Sequence, residues 1–75
     1  MEMENRLLRL EAVMNATGLS RSSIYAYMAA GTFPAAIKIG ERSIAWEENA
    51  VREWVAARIA AHRKNAALGG AVANG

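Results

Sequence analysis

The chain has no cysteine, so neither disulfide staples nor thiolate metal sites can support its fold, and one histidine cannot make a metal site by itself. Long apolar runs are missing as well. No uninterrupted stretch approaches the roughly 20 residues needed to cross a bilayer, and the opening Met1-Glu2-Met3-Glu4 is acidic, unlike a secretory signal. The expectation is a cytoplasmic protein with no membrane partner. Catalytic groupings are lacking too: no nucleophile is paired with a base, no carboxylate pair is set to share a cleft, and there is no glycine-rich phosphate loop. Glu47 beside Glu48 reads as the start of a helix. With 75 residues there is one domain at most, and a chain this short buries only about 60% of the surface its unfolded form exposes. We therefore expect no enzyme, no cofactor and no small-molecule effector site.

What is present is distributed unevenly. The formal net charge is +2 and the pI is near 9.5, which permits binding to an acidic polymer without demanding it. Residues 1 to 20 carry Arg6 and Arg9 against Glu2, Glu4 and Glu11, whereas residues 21 to 46 carry Arg21, Lys38 and Arg42 against Glu41 alone. The middle of the chain is its positive part.

The turn chemistry of that middle is specific. Arg6-Leu7-Leu8-Arg9-Leu10 is too short for a stable helix and suits a brief strand; Glu11 to Ala16 then form a short helix with Val13 and Met14 inward. Gly18 supplies the left-handed residue that closes a helix, with Leu19 packing back onto it. Ser20 caps a second helix by accepting from the N–H of Ser22 or Ser23. That helix runs from Arg21 to Ala30, where Gly31 stops it and Pro34 forbids its resumption. Two helices joined by about four residues containing a glycine make a helix-turn-helix. In the second helix Ile24, Tyr27 and Met28 share an inward stripe, and Ser22, Tyr25, Ala26 and Ala29 an outward one.

After Pro34 the period falls from 3.6 to 2. Ile37 and Ile39 alternate with Lys38, Gly40-Glu41-Arg42 makes a three-residue loop, and Ile44 and Trp46 alternate with Ser43 and Ala45. The expected hairpin covers the helices with Ile37, Ile39, Ile44 and Trp46 and turns Lys38, Arg42 and Ser43 to solvent. A last helix starts between Glu47 and Asn49, with Val51, Trp54, Val55 and Ile59 as its apolar stripe and His62, Arg63 and Lys64 as a charged end. Residues 1–64 are expected to form the folded domain and residues 65–75 a flexible tail. The fold class is mainly α with a small β-hairpin, in the order of a winged helix-turn-helix.

At matched spacing, Leu8-Arg9-Leu10, Gly18-Leu19-Ser20-Arg21-Ser22, Ile24-Tyr25, Gly31, Phe33-Pro34, Ile37-Lys38-Ile39-Gly40, Arg42, Ile44, Trp46, Val51 and Trp54 resemble the AlpA family of phage and mobile-element regulators. The resemblance implies a MerR-like, excisionase-like winged helix-turn-helix acting as a transcriptional regulator, or as an excisionase that directs an integrase towards excision. The chain departs from the family pattern at Ala26, Ala29 and Ala30 and at Ala35-Ala36, which leaves its second helix little charged.

The candidate DNA-binding residues are Ser20, Arg21, Ser22, Ser23, Tyr25 and Ala26 on the helix and Lys38, Arg42 and Ser43 on the wing. Arg21 stands at the end of the recognition helix whose residues usually meet base edges. Ser20, Ser22 and Ser23 are short donors that let the backbone approach phosphates, although capping is the first task of Ser20. Tyr25 can press its ring on sugar and reach a phosphate, whereas Tyr27, Trp46 and Trp54 belong to the core. Lys38 and Arg42 either follow the DNA backbone or a minor groove, or form the wet face of an ordinary hairpin. Phosphate contacts are few for one domain, so several copies on adjacent double-stranded sites, touching head to tail, are expected to share the work. The competing class is a protein-binding adaptor or antitoxin-like module using the outward alanines.

Overall fold

Glycine and serine punctuate the first half of the molecule as their chemistry requires. In the computed structural model, which describes residues 6–69, β1 (Leu7–Leu8) leads into α1 (Leu10–Thr17), and Gly18 ends α1 with φ 76°, its N–H donating to the Met14 carbonyl. Thr17 reinforces the stop. Its hydroxyl donates to the Val13 carbonyl at 2.8 Å and accepts from the Leu19 N–H at 3.1 Å, so both polar groups of the turn are satisfied locally. Ser20 then caps α2 (Arg21–Ala30), and Gly31, at φ 78°, closes it with its N–H on the carbonyls of Met28 and Tyr27. Only glycine adopts such a backbone without strain.

Beyond Pro34 come β2 (Ile37–Lys38), β3 (Ile44–Glu47) and α3 (Glu48–Gly69). The strands form one antiparallel sheet in the order β1-β3-β2. The segment around Leu7 therefore is the brief strand expected, and it turns the hairpin into a three-stranded sheet. The Glu48 N–H donates to the Arg6 carbonyl at 2.8 Å, tying the start of α3 to the start of β1.

Val13, Ile24, Phe33, Trp46 and Val51 make the core, with Leu8, Leu10, Met14, Leu19, Tyr27, Met28, Ile44 and Trp54 packed around it. Each fully buried aliphatic of this kind contributes about 1.5–3 kcal/mol. In α2 the inward stripe is as expected: Ile24 is buried, Tyr27 and Met28 are half-buried, and Ser22, Tyr25, Ala26 and Ala29 are exposed. This is a mainly helical winged helix-turn-helix, with β2 and β3 as the wing.

The wing corrects one expectation. Ile39 and Ser43 face each other across the three-residue loop, the Ile39 N–H donating to the Ser43 carbonyl at 2.9 Å, and the pairs that follow are Lys38 with Ile44 and Ile37 with Ala45. Residues directly opposite share a face. An odd loop thus pairs odd numbers with odd, so Ile37 and Ile39 cannot lie on the face of Ile44 and Trp46. They lie on the other side, the face that Leu7 also takes across β3, and are 43% and 44% exposed. Ala45, fully buried and opposite Ile37, occupies that face too. Lys38 instead shares the helix-covered face with Ile44 and Trp46, and Ser43 takes the opposite face.

Helix α3 starts at Glu48, within the expected window, and its helical backbone continues past residue 64 to Gly69. Residues 70–75 of the expected tail lie outside the described residues. Val51 is buried and Trp54 and Val55 are half-buried, but every residue from Ala56 to Asn65 is exposed, Ile59 included. The apolar stripe outruns the core it serves.

Candidate nucleic-acid interface

Helix α2 and its cap hold most of the candidate residues together: Ser20, Arg21, Ser22, Ser23, Tyr25 and Ala26. Ser20 adopts an extended backbone, φ −78° and ψ 165°, which aims its side chain back across the helix end. Its Oγ accepts from the Ser23 N–H at 3.1 Å, and its hydroxyl donates to the Ser23 Oγ at 3.1 Å. Of the two capping partners left open by the sequence, Ser23 is the one used. Ser20 and Ser23 are thereby largely occupied with each other.

Two donors remain at this helix end. The Ile24 N–H is taken by the Ser20 carbonyl at 3.0 Å and that of Ser23 by the cap, so the N–H groups of Arg21 and Ser22 are the ones without an intrahelical acceptor. There is no acidic residue in the first turn of α2. The partial positive charge of the dipole, roughly half an elementary charge, is left without a carboxylate to offset it. Arg21 adds a full charge, and among the described residues no carboxylate pairs with it. Arg21, Ser22 and Ala26 are exposed and Tyr25 is 39% exposed, which makes a strip along one face. Such a strip can hold an oxyanion at the helix end and still offer a planar fork donor and a phenol beside it.

The wing contributes a second, separate element. Arg42 is exposed in its loop and Lys38 is exposed on the helix-covered side of the sheet, whereas Ser43 is half-buried on the reverse side. Lys38 and Ser43 therefore cannot serve one flat surface, and Lys38 with Arg42 is the pair that can act beside the helices.

The two tryptophans stand on β3 and α3. Trp46 is fully buried, and its Nε1 has no partner among the described residues. The Trp54 Nε1–H donates to the Thr32 carbonyl at 2.7 Å, and its ring meets Phe33 edge-on at 4.9 Å and Tyr27 at 6.2 Å. Arg58 was not singled out by the sequence. Its guanidinium lies 4.6 Å from the Trp54 ring centre and 5.5 Å from that of Tyr27, covering the C-terminal end of α2 from outside. The spacing of four between Trp54 and Arg58 on a helix was the available signal. Among the described residues no group of three or more His, Cys, Asp or Glu could hold a metal ion, and no helix is long and apolar enough to cross a membrane.

Comparison with known proteins agrees with this architecture. Residues 6–59 match the family model described as prophage CP4-57 regulatory protein (AlpA). The chain is 39% identical over 61 residues to the ORF88 protein of Enterobacteria phage P4, covering 81% of this chain and 69% of that protein. It is 36% identical over 59 residues to the DNA-binding transcriptional activator AlpA of Escherichia coli (strain K12), covering 71% of this chain and 84% of the relative.

Proposed function

Since the chain belongs to the AlpA family of prophage regulatory proteins, we propose that it is a sequence-specific double-stranded DNA-binding regulator of a mobile element. Within that role it acts as an excisionase, as a transcriptional regulator, or as both, and it works as several copies on adjacent sites. One observation carries the reading: the first turn of α2 has a serine cap, two N–H groups without an intrahelical acceptor, no carboxylate, and an exposed Arg21. An anionic backbone fits there, and the arginine beside it can read a base edge through a bidentate contact worth about 1–3 kcal/mol of discrimination. Ser22 and Tyr25 flank it. Lys38 and Arg42 on the wing hold the neighbouring backbone.

The preference for several copies rests on the small number of cations. Arg21, Lys38 and Arg42 are the candidate phosphate or base contacts of one copy. Three contacts give a logarithmic salt slope of about −2.7 per copy. Tight specific binding at physiological salt then needs copies that help one another, and an architectural role in excision uses such an array. An integrase is the partner this implies.

The test is a gel shift with DNA from around the gene across a salt series. It is paired with an excision count in cells carrying an integrase and its attachment sites. Binding to one sequence with a log-linear loss in salt supports the regulator, and excision that rises with the protein supports the finer role. No shift with any fragment would favour a protein-binding adaptor that uses the exposed Ala26, Ala29 and Ala30.

A further inference from the structure

Half of α3 stands clear of the domain, and an apolar groove runs along its side. The groove, of about 300 Å³, has Leu8 of β1 and Ala16 of α1 on one wall and Val51, Val55 and Ile59 of α3 on the other, with Glu48 and Arg52 completing it. Ile59 is 46% exposed at its outer end. Isolated helices of this length are marginal in water, and most are held by packing of an apolar face. From Ala56 to Asn65 that packing is missing.

We infer that a second copy of this chain fills the groove, with the two α3 helices antiparallel about a twofold axis near Val55 and Ala56. Charge selects both the occupant and the direction. Up to Trp54, α3 and the residue before it carry Glu47, Glu48 and Glu53 against Arg52, whereas from Val55 onward the helix carries Arg58, Arg63 and Lys64 with no carboxylate. A parallel pair sets like charge beside like. An antiparallel pair sets opposite charges together and opposes the two helix dipoles as well.

The register follows from the stripe. Glu48, Arg52, Val55 and Ile59 are spaced four, three and four, so they share one face, which continues to Arg63. Pairing about the centre places Glu48 opposite Arg63 of the partner subunit, and Arg52 opposite Ile59 of the partner subunit, where the arginine stem can cover the isoleucine. Each contact occurs twice. Ala56, which lines the groove and faces Val55 of the other copy across the axis, lets the helices approach closely. Glu48 already meets Arg6 at 3.7 Å, but Arg6 is 70% exposed and that pair is readily exchanged. The contact is small, so the free dimer is weak, and binding side by side on DNA strengthens it by raising effective concentration. This rests on the several-copy part of the proposed function, with a closed twofold pair in place of head-to-tail contact, but it is a property of the protein alone.

Sedimentation equilibrium of the full chain without DNA, from micromolar to millimolar concentration, tests it, with circular dichroism to confirm folding. A reversible monomer–dimer equilibrium is expected. Ile59→Glu should raise the dissociation constant by at least about tenfold, since burial lost at one site is lost twice. Arg63→Glu should weaken the dimer similarly, and adding Glu48→Lys to it should restore the constant to within about threefold. A monomer at every concentration overturns the pairing, as does a dimer indifferent to Ile59→Glu. Failure of the double charge reversal to restore association overturns the antiparallel register. A monomeric chain that still binds its DNA site would sink this inference alone; a dimer with no DNA site would instead sink the proposed function.

Discussion

Ser20 caps α2 and, under the proposed function, stands where the helix end meets phosphate; an aspartate there would keep the cap but oppose the phosphate. As an N-cap, aspartate is as good as serine, because its carboxylate accepts from the same Ser23 N–H. It also adds a negative charge at the positive end of α2, worth about 0.3–1 kcal/mol. For a domain this small 1 kcal/mol moves the melting temperature by roughly 4–8 °C. Ser20→Asp should thus melt at or up to several degrees above the parent. On DNA the sign reverses. A carboxylate within about 4 Å of a phosphate costs between roughly 1 kcal/mol in water and 4 kcal/mol near a protein surface. Affinity should therefore fall by at least about fivefold. Ser20→Ala makes the complementary case, losing about 1 kcal/mol of cap and so roughly 4–8 °C, while its DNA affinity, measured well below the transition, stays near that of the parent. Thermal denaturation by circular dichroism and fluorescence anisotropy with a labelled duplex give both numbers for each variant. If Ser20→Asp binds DNA as tightly as the parent, the first turn of α2 does not lie against phosphate and the placement of the recognition helix is wrong.

Three further outcomes follow from the packing. Gly31→Ala should destabilise by about 1–2 kcal/mol in thermal denaturation, since φ is 78° but no atom lies within 4 Å of the added methyl, so only backbone strain is paid. Trp46→Phe should cost less than Trp54→Phe in urea denaturation. The first removes a buried N–H without a partner and so recovers part of the lost packing, whereas the second breaks the 2.7 Å bond to the Thr32 carbonyl and the stacking with Arg58. Ile39→Thr should change stability by less than about 1 kcal/mol while Ile44→Ala costs about 2 kcal/mol or more, and the reverse order would mean that the hairpin pairs in the other register.

The helical half of this fold is legible in the sequence because it is written in residues with narrow meanings. Gly18, Ser20, Gly31 and Pro34 each permit or forbid a particular backbone, and the inward stripe of α2 follows once its ends are fixed. The sheet is harder to read. The spacing of Ile37, Ile39, Ile44 and Trp46 suggests one apolar face, but the three-residue loop carries the parity that forbids it, and Ala45 gives no sign of its face because alanine suits either. The same parity puts Ser43 on the face opposite Lys38. The role of Arg58 is not legible in the sequence because one of its two aromatic partners, Tyr27, comes from a different helix, so half of that contact is tertiary. The projection of α3 was hidden for a related reason: an apolar stripe shows which face seeks cover, but not how far the domain extends to provide it.

The central claim is that Arg21, at the carboxylate-free start of α2, reads base sequence on double-stranded DNA. Anisotropy titrations of the parent and of Arg21→Ala, against duplexes tiling the DNA around the gene and against one unrelated duplex, test it directly. One site should be preferred by the parent. Arg21→Ala should lose about 1–3 kcal/mol on that site, roughly 5- to 150-fold, with a much smaller loss on the unrelated duplex. A parent that binds every duplex equally, or a variant that keeps the full preference, would contradict the claim.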